Sequence, residues 1–133
     1  MKKSGIAGSS VNLLLDTQIL VWMVGDRHRL PAGFLTALGD PETALLVSAV
    51  TAWEYADLLH RGRLPVQETF PEIQSRFRFE VVDLPGECWR LASQLPHIHG
   101  DPIDRMAVAH AILGGYALVT ADANMRRYPV TLL

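Results

Sequence analysis

Short apolar runs alternate with helical patterns along almost the whole chain. Val11-Asn12-Leu13-Leu14-Leu15 stops at Asp16, and Ala44-Leu45-Leu46-Val47 and Ala117-Leu118-Val119-Thr120 have the same apolar density. Runs of this length with so few polar positions suit strands covered on both faces, as in a parallel sheet. Phe79-Glu80-Val81-Val82 reads as a fourth strand. Between them, helical spacing covers Thr17 to Val24, Pro31 to Leu38, Ala49 to Arg61, Val66 to Arg76, Gly86 to Leu95 and Pro102 to Leu113. Strand-helix alternation predicts an α/β sandwich of three layers, with a central, mostly parallel sheet of four to five strands joined by crossover helices. Ligands of such folds collect beyond the carboxyl ends of the strands. Asp16 and Asp122 fall at such ends.

Length and composition narrow this further. The 133 residues fit one domain able to bury its own core, taken as 11–133, with 1–10 as a flexible leader or tag remnant. Those first ten residues lack the apolar stretch of a secretory signal. No run reaches the roughly 20 apolar residues of a membrane span, since Asp16, Gln18 and Gly25 break the best one. The lone Cys88 forms neither an internal disulfide nor a thiolate cage, which predicts a soluble, cytoplasmic protein with a buried core thiol. The net charge of −2 excludes a generally basic nucleic-acid coat. With four candidate acids set aside, however, 10 acidic residues face 12 basic ones, compatible with a phosphate-binding rim around an acidic centre.

Those four acids are Asp16, Glu54, Asp104 and Asp122. Each has an ordinary explanation. Asp16 can cap the helix that follows it, and Glu54 can be a surface residue of a helix that Ser48 caps. Asp101-Pro102-Ile103-Asp104 has the grammar of a helix start, with Asp104 complementing the macrodipole, and Asp122 suits an Asx-turn. None of these explains why one acid should stand on each of four elements converging on one sheet edge. Carboxylates gathered so closely raise one another's pKa values unless a cation intervenes. All-oxygen ligands suit Mg²⁺ or Mn²⁺. Zinc is disfavoured: His97, His99 and Asp101 alternate, but no third His and no Cys completes a set.

Taken in order, Leu14-Leu15-Asp16-Thr17, Val47-Ser48-Ala49-Val50-Thr51-Ala52-Trp53-Glu54, His99-Gly100-Asp101-Pro102-Ile103-Asp104-Arg105-Met106 and Val119-Thr120-Ala121-Asp122 resemble the PIN-domain nucleases, and within them the VapC-type toxins of bacterial toxin–antitoxin pairs. The resemblance runs from about Val11 to the C-terminus. It implies a Mg²⁺- or Mn²⁺-dependent endoribonuclease cutting RNA phosphodiester bonds, neutralised by a cognate VapB-type antitoxin that also binds DNA, and usually a homodimer. It also implies that Asp16 and Asp104 are principal metal ligands, Glu54 a further acid and Asp122 the fourth, with Thr17 and Thr120 supporting by hydrogen bonds. Two positions depart from the pattern: Gln18 where relatives carry His, and Leu58 where they carry Lys. Since all four acids are present, a competent site is expected. For Asp101 a capping role is preferred over one in the metal's outer shell.

Arg61, Arg63, Arg76, Arg78, Arg105, Arg126 and Arg127 are candidate RNA-backbone contacts, Arg105 foremost, with an internal ion pair as its alternative. His28 and His60 look isolated, and His110, on an apolar helix, reads as a satisfied core histidine. Trp22, Trp53 and Trp89 are expected in the core or a dimer interface. A phosphatase of the haloacid dehalogenase type is a poor rival, because Gln18 stands where its second acid belongs. A receiver-like or PIN-like Mg²⁺-binding module that works only by association is the non-enzymatic alternative; metal-dependent RNA cleavage separates it from the nuclease.

Overall fold

The computed structural model describes residues 11–98 and 100–133, so the expected leader at 1–10 and His99 lie outside the described residues. β1 (Val11–Leu15) leads into α1 (Thr17–Gly25), a short 3-10 turn, and α2 (Ala32–Leu38); β2 (Thr43–Ser48) then leads into α3 (Ala49–His60) and α4 (Phe70–Phe77). β3 (Glu80–Val82), α5 (Cys88–Gln94), α6 (Pro102–Gly114), β4 (Ala117–Val119) and a second 3-10 turn at Met125–Arg127 complete the order. All three strand pairings are parallel, in the order β3-β2-β1-β4, the sheet expected from the sequence.

Side chains of a strand alternate between its faces, and the sheet uses that alternation to build two separate cores. Leu13, Leu15, Val47 and Val119 project to one side, against Ile19, Leu20 and Met23 of α1, Phe34 of α2, Tyr55 of α3 and Ile73 of α4. Leu14, Leu46 and Leu118 project to the other, against Cys88 and Ala92 of α5 and Ala107, Val108 and Ala111 of α6. The small side chains of α6 let its backbone lie close to the sheet. The helix ends at Gly115, which takes the left-handed conformation (φ +68°) that closes a helix C-terminus at least cost.

Three sequence expectations shift. The helix placed from Val66 begins at Phe70, because Thr69 and Glu72 form a reciprocal capping box and Pro71 occupies the first turn. That leaves Arg61 to Thr69 as an irregular segment before it. Of the core-or-interface reading of the tryptophans, the core half fails for Trp53 and Trp89, which are 59% and 62% exposed, while Trp22 packs partly buried against the first core. Arg105 is neither exposed to a ligand nor ion-paired, as described below. Cys88 is the buried free thiol expected. His110 is buried with Nδ1 2.8 Å from Ser48 Oγ, a satisfied core histidine. No helix among the described residues is long and apolar enough to cross a membrane.

The strand order fixes where a site can form. From β1 the chain moves through β2 to β3 on one side, and β4 returns to the opposite side of β1. The connections after β1 and β4 therefore diverge, opening a crevice at their carboxyl ends.

Candidate active site

Asp16 occupies that crevice. It is the first residue after β1 and the N-cap of α1, its carboxylate accepting the Ile19 N–H at 2.9 Å while its own N–H donates to the Val119 carbonyl of β4 at 3.2 Å. The capping expectation is thus met, and capping accounts for only part of the residue's setting. Asp16 is 5% exposed. Burial pushes its pKa up to about 6; the Thr120 hydroxyl and the Ile19 amide oppose the rise, and the nearby charges of Asp122 and Glu54 add to it. An acid held this way is costly to ionise in the absence of a compensating cation.

Glu54 reaches the same crevice from the second turn of α3, whose N-terminus Ser48 caps by accepting the Val50 N–H at 3.3 Å. The Thr17 hydroxyl, one residue after Asp16, donates to Glu54 Oε1 and so ties α3 to the start of α1. Desolvation raises the Glu54 pKa, the Thr17 bond lowers it, and the charge of Asp101 raises it again. Asp101 is the N-cap of α6, accepting the N–H groups of Ile103 at 2.8 Å and Asp104 at 3.4 Å, with Pro102 at the first helical position. Asp104 follows in that first turn.

Asp16, Glu54, Asp101 and Asp104 line one cleft of about 310 Å³, with Thr17, Gln18 and Leu58 among the other walls. Asp122 stands beside it. Close enough to raise the Asp16 pKa, it is not a lining residue, and its Oδ1 accepts the N–H groups of Asn124 at 2.8 Å and Met125 at 3.0 Å. Its own N–H donates to Thr120 Oγ1 at 3.0 Å. The Asx-turn reading of Asp122 therefore holds alongside its place in the acidic environment.

The donor set fits a hard divalent cation. The carboxylates lining the cleft offer oxygen and the buried one gains most from added positive charge, although among the described residues no three acidic, His or Cys side chains are gathered into a ready metal-holding group. Such an arrangement suits an ion that retains several waters and is held through one or two carboxylates, as Mg²⁺ is. Among the described residues no His or Cys lines the cleft, and Met125 is the one sulfur-bearing residue there, a set that favours a hard over a soft metal.

Arg105, next to Asp104, turns inward. Only 9% exposed, its guanidinium donates to the carbonyls of Ala92, Leu95 (3.0 Å) and Pro96 (2.9 Å) and to the Tyr128 hydroxyl (3.1 Å). Two of these partners, the Ala92 and Leu95 carbonyls, lie at the C-terminal end of α5, where helix carbonyls lack an intrahelical donor. The same group thus binds α5, the base of the 96–101 loop and the segment after Asp122 to the helix that carries Asp104. It works as a brace and not as an RNA contact.

The loop after α3 brings Arg63, Leu64 and Pro65 to the cleft wall; sequence reasoning offered Arg63 as an RNA contact without placing it at the site and passed over Leu64 and Pro65. The available signal was Gly62, a residue expected just beyond a helix end.

Comparison with known proteins is consistent with this geometry. The PIN domain family model matches residues 13–130. Ribonuclease VapC22 of Mycobacterium tuberculosis is 30% identical over 129 residues, covering 90% of this chain and 97% of that one. Among solved structures, VapBC2 from Rickettsia felis, bound to a DNA fragment from their promoter, matches with a TM-score of 0.66 and 21% identity over 92% of this chain and 97% of that chain. PAE2754 from Pyrobaculum aerophilum matches with a TM-score of 0.54 and 18% identity, over 94% and 85% of the two chains. At those identities the two structures speak to the fold alone. Ordered acidic motifs, a parallel four-stranded sheet and a family match spanning nearly all described residues lead to one conclusion: the chain belongs to the PIN-domain family, and within it to the VapC type.

Proposed function

We propose that this protein is a divalent-metal-dependent endoribonuclease that hydrolyses RNA phosphodiester bonds, acting as a toxin held in check by a VapB-type antitoxin. One observation carries the reading: Asp16 is a nearly buried acid with its pKa pushed up to about 6, and it shares a cleft with Glu54, Asp101 and Asp104. Maintaining so unfavourable a charge needs a purpose, and perturbed acids converging in a cleft are the usual mark of a reactive site. The activity printed for the 30% identical relative, a ribonuclease, supports the substrate class. The antitoxin partner and a homodimeric state are part of the proposal through membership of the VapC type.

In this reading Asp16 and Asp104 hold Mg²⁺ or Mn²⁺, and Glu54 and Asp122 complete the acidic surround. When bound, such an ion supplies charge neutralisation at a phosphoryl oxygen and lowers the pKa of water. The chain's own contribution is placement. Thr17 holds Glu54 at Oε1, Thr120 holds Asp16, and the α6 N-terminus sets Asp104 against them. Glu54, whose pKa is raised by burial, is the acid best suited to accept a proton from the attacking water.

The test is cleavage of varied single-stranded RNAs by purified protein. We expect cutting with Mn²⁺ or Mg²⁺, none in EDTA, and a loss of at least about 100-fold in Asp16→Asn and Asp104→Asn with circular dichroism unchanged. Full activity in either variant overturns the site assignment. Protein that leaves every RNA intact while still binding Mg²⁺ or a partner favours a non-catalytic module.

A further inference from the structure

α3 does not simply fray at its end. Arg61 N–H bonds to the Asp57 carbonyl at 3.0 Å, Gly62 N–H to Leu59 at 3.0 Å and Arg63 N–H to Leu58 at 2.8 Å. Gly62 takes φ +69°, the left-handed turn that reverses the chain at a helix C-terminus. The reversal returns Arg63 to the level of Leu58, one turn along α3 from Glu54. There it joins the wall of the acidic cleft together with Leu58, Glu54, Asp16 and Asp104.

Among the described residues, Arg63 is the sole basic one lining the cleft. Its neighbour Arg61 is paired with Asp57 at 3.0 Å, and Arg126, which follows the cleft residue Met125, donates to the Thr120 carbonyl at 3.1 Å. Among the described residues no ion pair involves Arg63, although four carboxylates share its cavity. An exposed guanidinium delivered to an acidic cleft by a committed backbone turn, and left unpaired there, is available to an anion that enters with a cation.

We propose that Arg63 is the substrate-binding residue of this cleft, its guanidinium taking a non-bridging phosphate oxygen of the RNA backbone at or next to the bond to be cut. The proposal rests on the nuclease reading above and adds to it a specific contact and its source in the Gly62 turn. The fork of Arg63 suits a phosphate. The acids opposite keep RNA out until a divalent ion offsets them, so binding through Arg63 depends on the metal.

The test compares Arg63→Gln, Arg63→Lys and, as a charge control outside the cleft, Arg27→Gln. Three readouts are needed: Mn²⁺ affinity by calorimetry, kcat and KM on a fluorescent single-stranded RNA in Mn²⁺, and anisotropy binding of a labelled RNA in Ca²⁺. Arg63→Gln is expected to leave Mn²⁺ affinity no weaker, to lower kcat/KM and Ca²⁺-supported affinity about 10-fold or more, and to flatten the salt dependence of binding by about 0.7 in log-log slope. Arg63→Lys should recover part of the loss and Arg27→Gln should show little. Arg63→Gln matching Arg27→Gln in all three overturns the proposal. Wild-type protein that binds RNA but does not cut it sinks hydrolysis, and the anisotropy comparison still decides Arg63. Wild-type protein that does neither sinks both.

Discussion

Asp16 combines two demands on a single side chain. As an N-cap it stabilises α1, and as a buried anion facing Asp122 and Glu54 it weighs against the fold. Its folded pKa of about 6 lies above the ordinary value of 3.8, so the native state holds the proton more tightly than the unfolded chain. The associated stability is complete below about pH 4 and is lost as the pH rises through 6. Asp16→Asn keeps the capping oxygen and removes the charge. In EDTA above pH 6.5 the variant should therefore be more stable than wild type, by up to about 3 kcal/mol for a shift of some two pKa units; the gap should close toward pH 4. Urea unfolding across that range checks it, and a variant less stable than wild type at pH 7.5 would show that Asp16 is not a strained anion. Asp16 was legible in the sequence because the first polar residue after an apolar strand has only one place to go. The opposite held for Arg63, one of seven arginines offered as RNA contacts and ranked behind Arg105; the turn at Gly62 is what brings it to the cleft.

The elements that present the acids were read correctly wherever capping chemistry was local. Asp101-Pro102 marks the start of α6 and Gly114-Gly115 its end, and both appear as expected. α4 was placed four residues early, since the apolar Val66 suggested periodicity before the Thr69–Glu72 box that starts the helix. For Trp53 and Trp89 the core half of the reading fails and the interface half stands untouched, because residue type alone does not say which face of a helix meets the sheet. Arg105 could not have been read at all: its four partners lie up to 23 residues away and three are backbone carbonyls. Arg105→Met should leave the carbonyls of buried Ala92 and Leu95 without this donor and cost on the order of 3 kcal/mol. The urea midpoint should fall with little change in slope. Arg105→Lys should recover only part, since one ammonium cannot span α5 and Tyr128 together. A shift within about 0.5 kcal/mol for Arg105→Met would mean that water replaces the brace.

Across the whole molecule, fold and site have one origin. A parallel sheet with helices on both faces was legible because strands buried on both sides show as continuous apolar runs. The reversal of strand order between β2 and β4 then gives a crevice at the end of β1, and four separate segments lead acids into or beside it. What no single segment discloses is the balance among them: which acid is buried, which is committed to backbone caps, and which wall carries the opposing charge. The central claim is that these dispersed carboxylates form one hard-cation site. Its most direct measurement is the anomalous density of Mn²⁺ in a crystal of the protein. The account predicts a peak at bonding distance, about 2.2 Å, from carboxylate oxygens of Asp16 and Asp104. A cleft without a peak at saturating Mn²⁺, in protein that nevertheless cuts RNA, would contradict it.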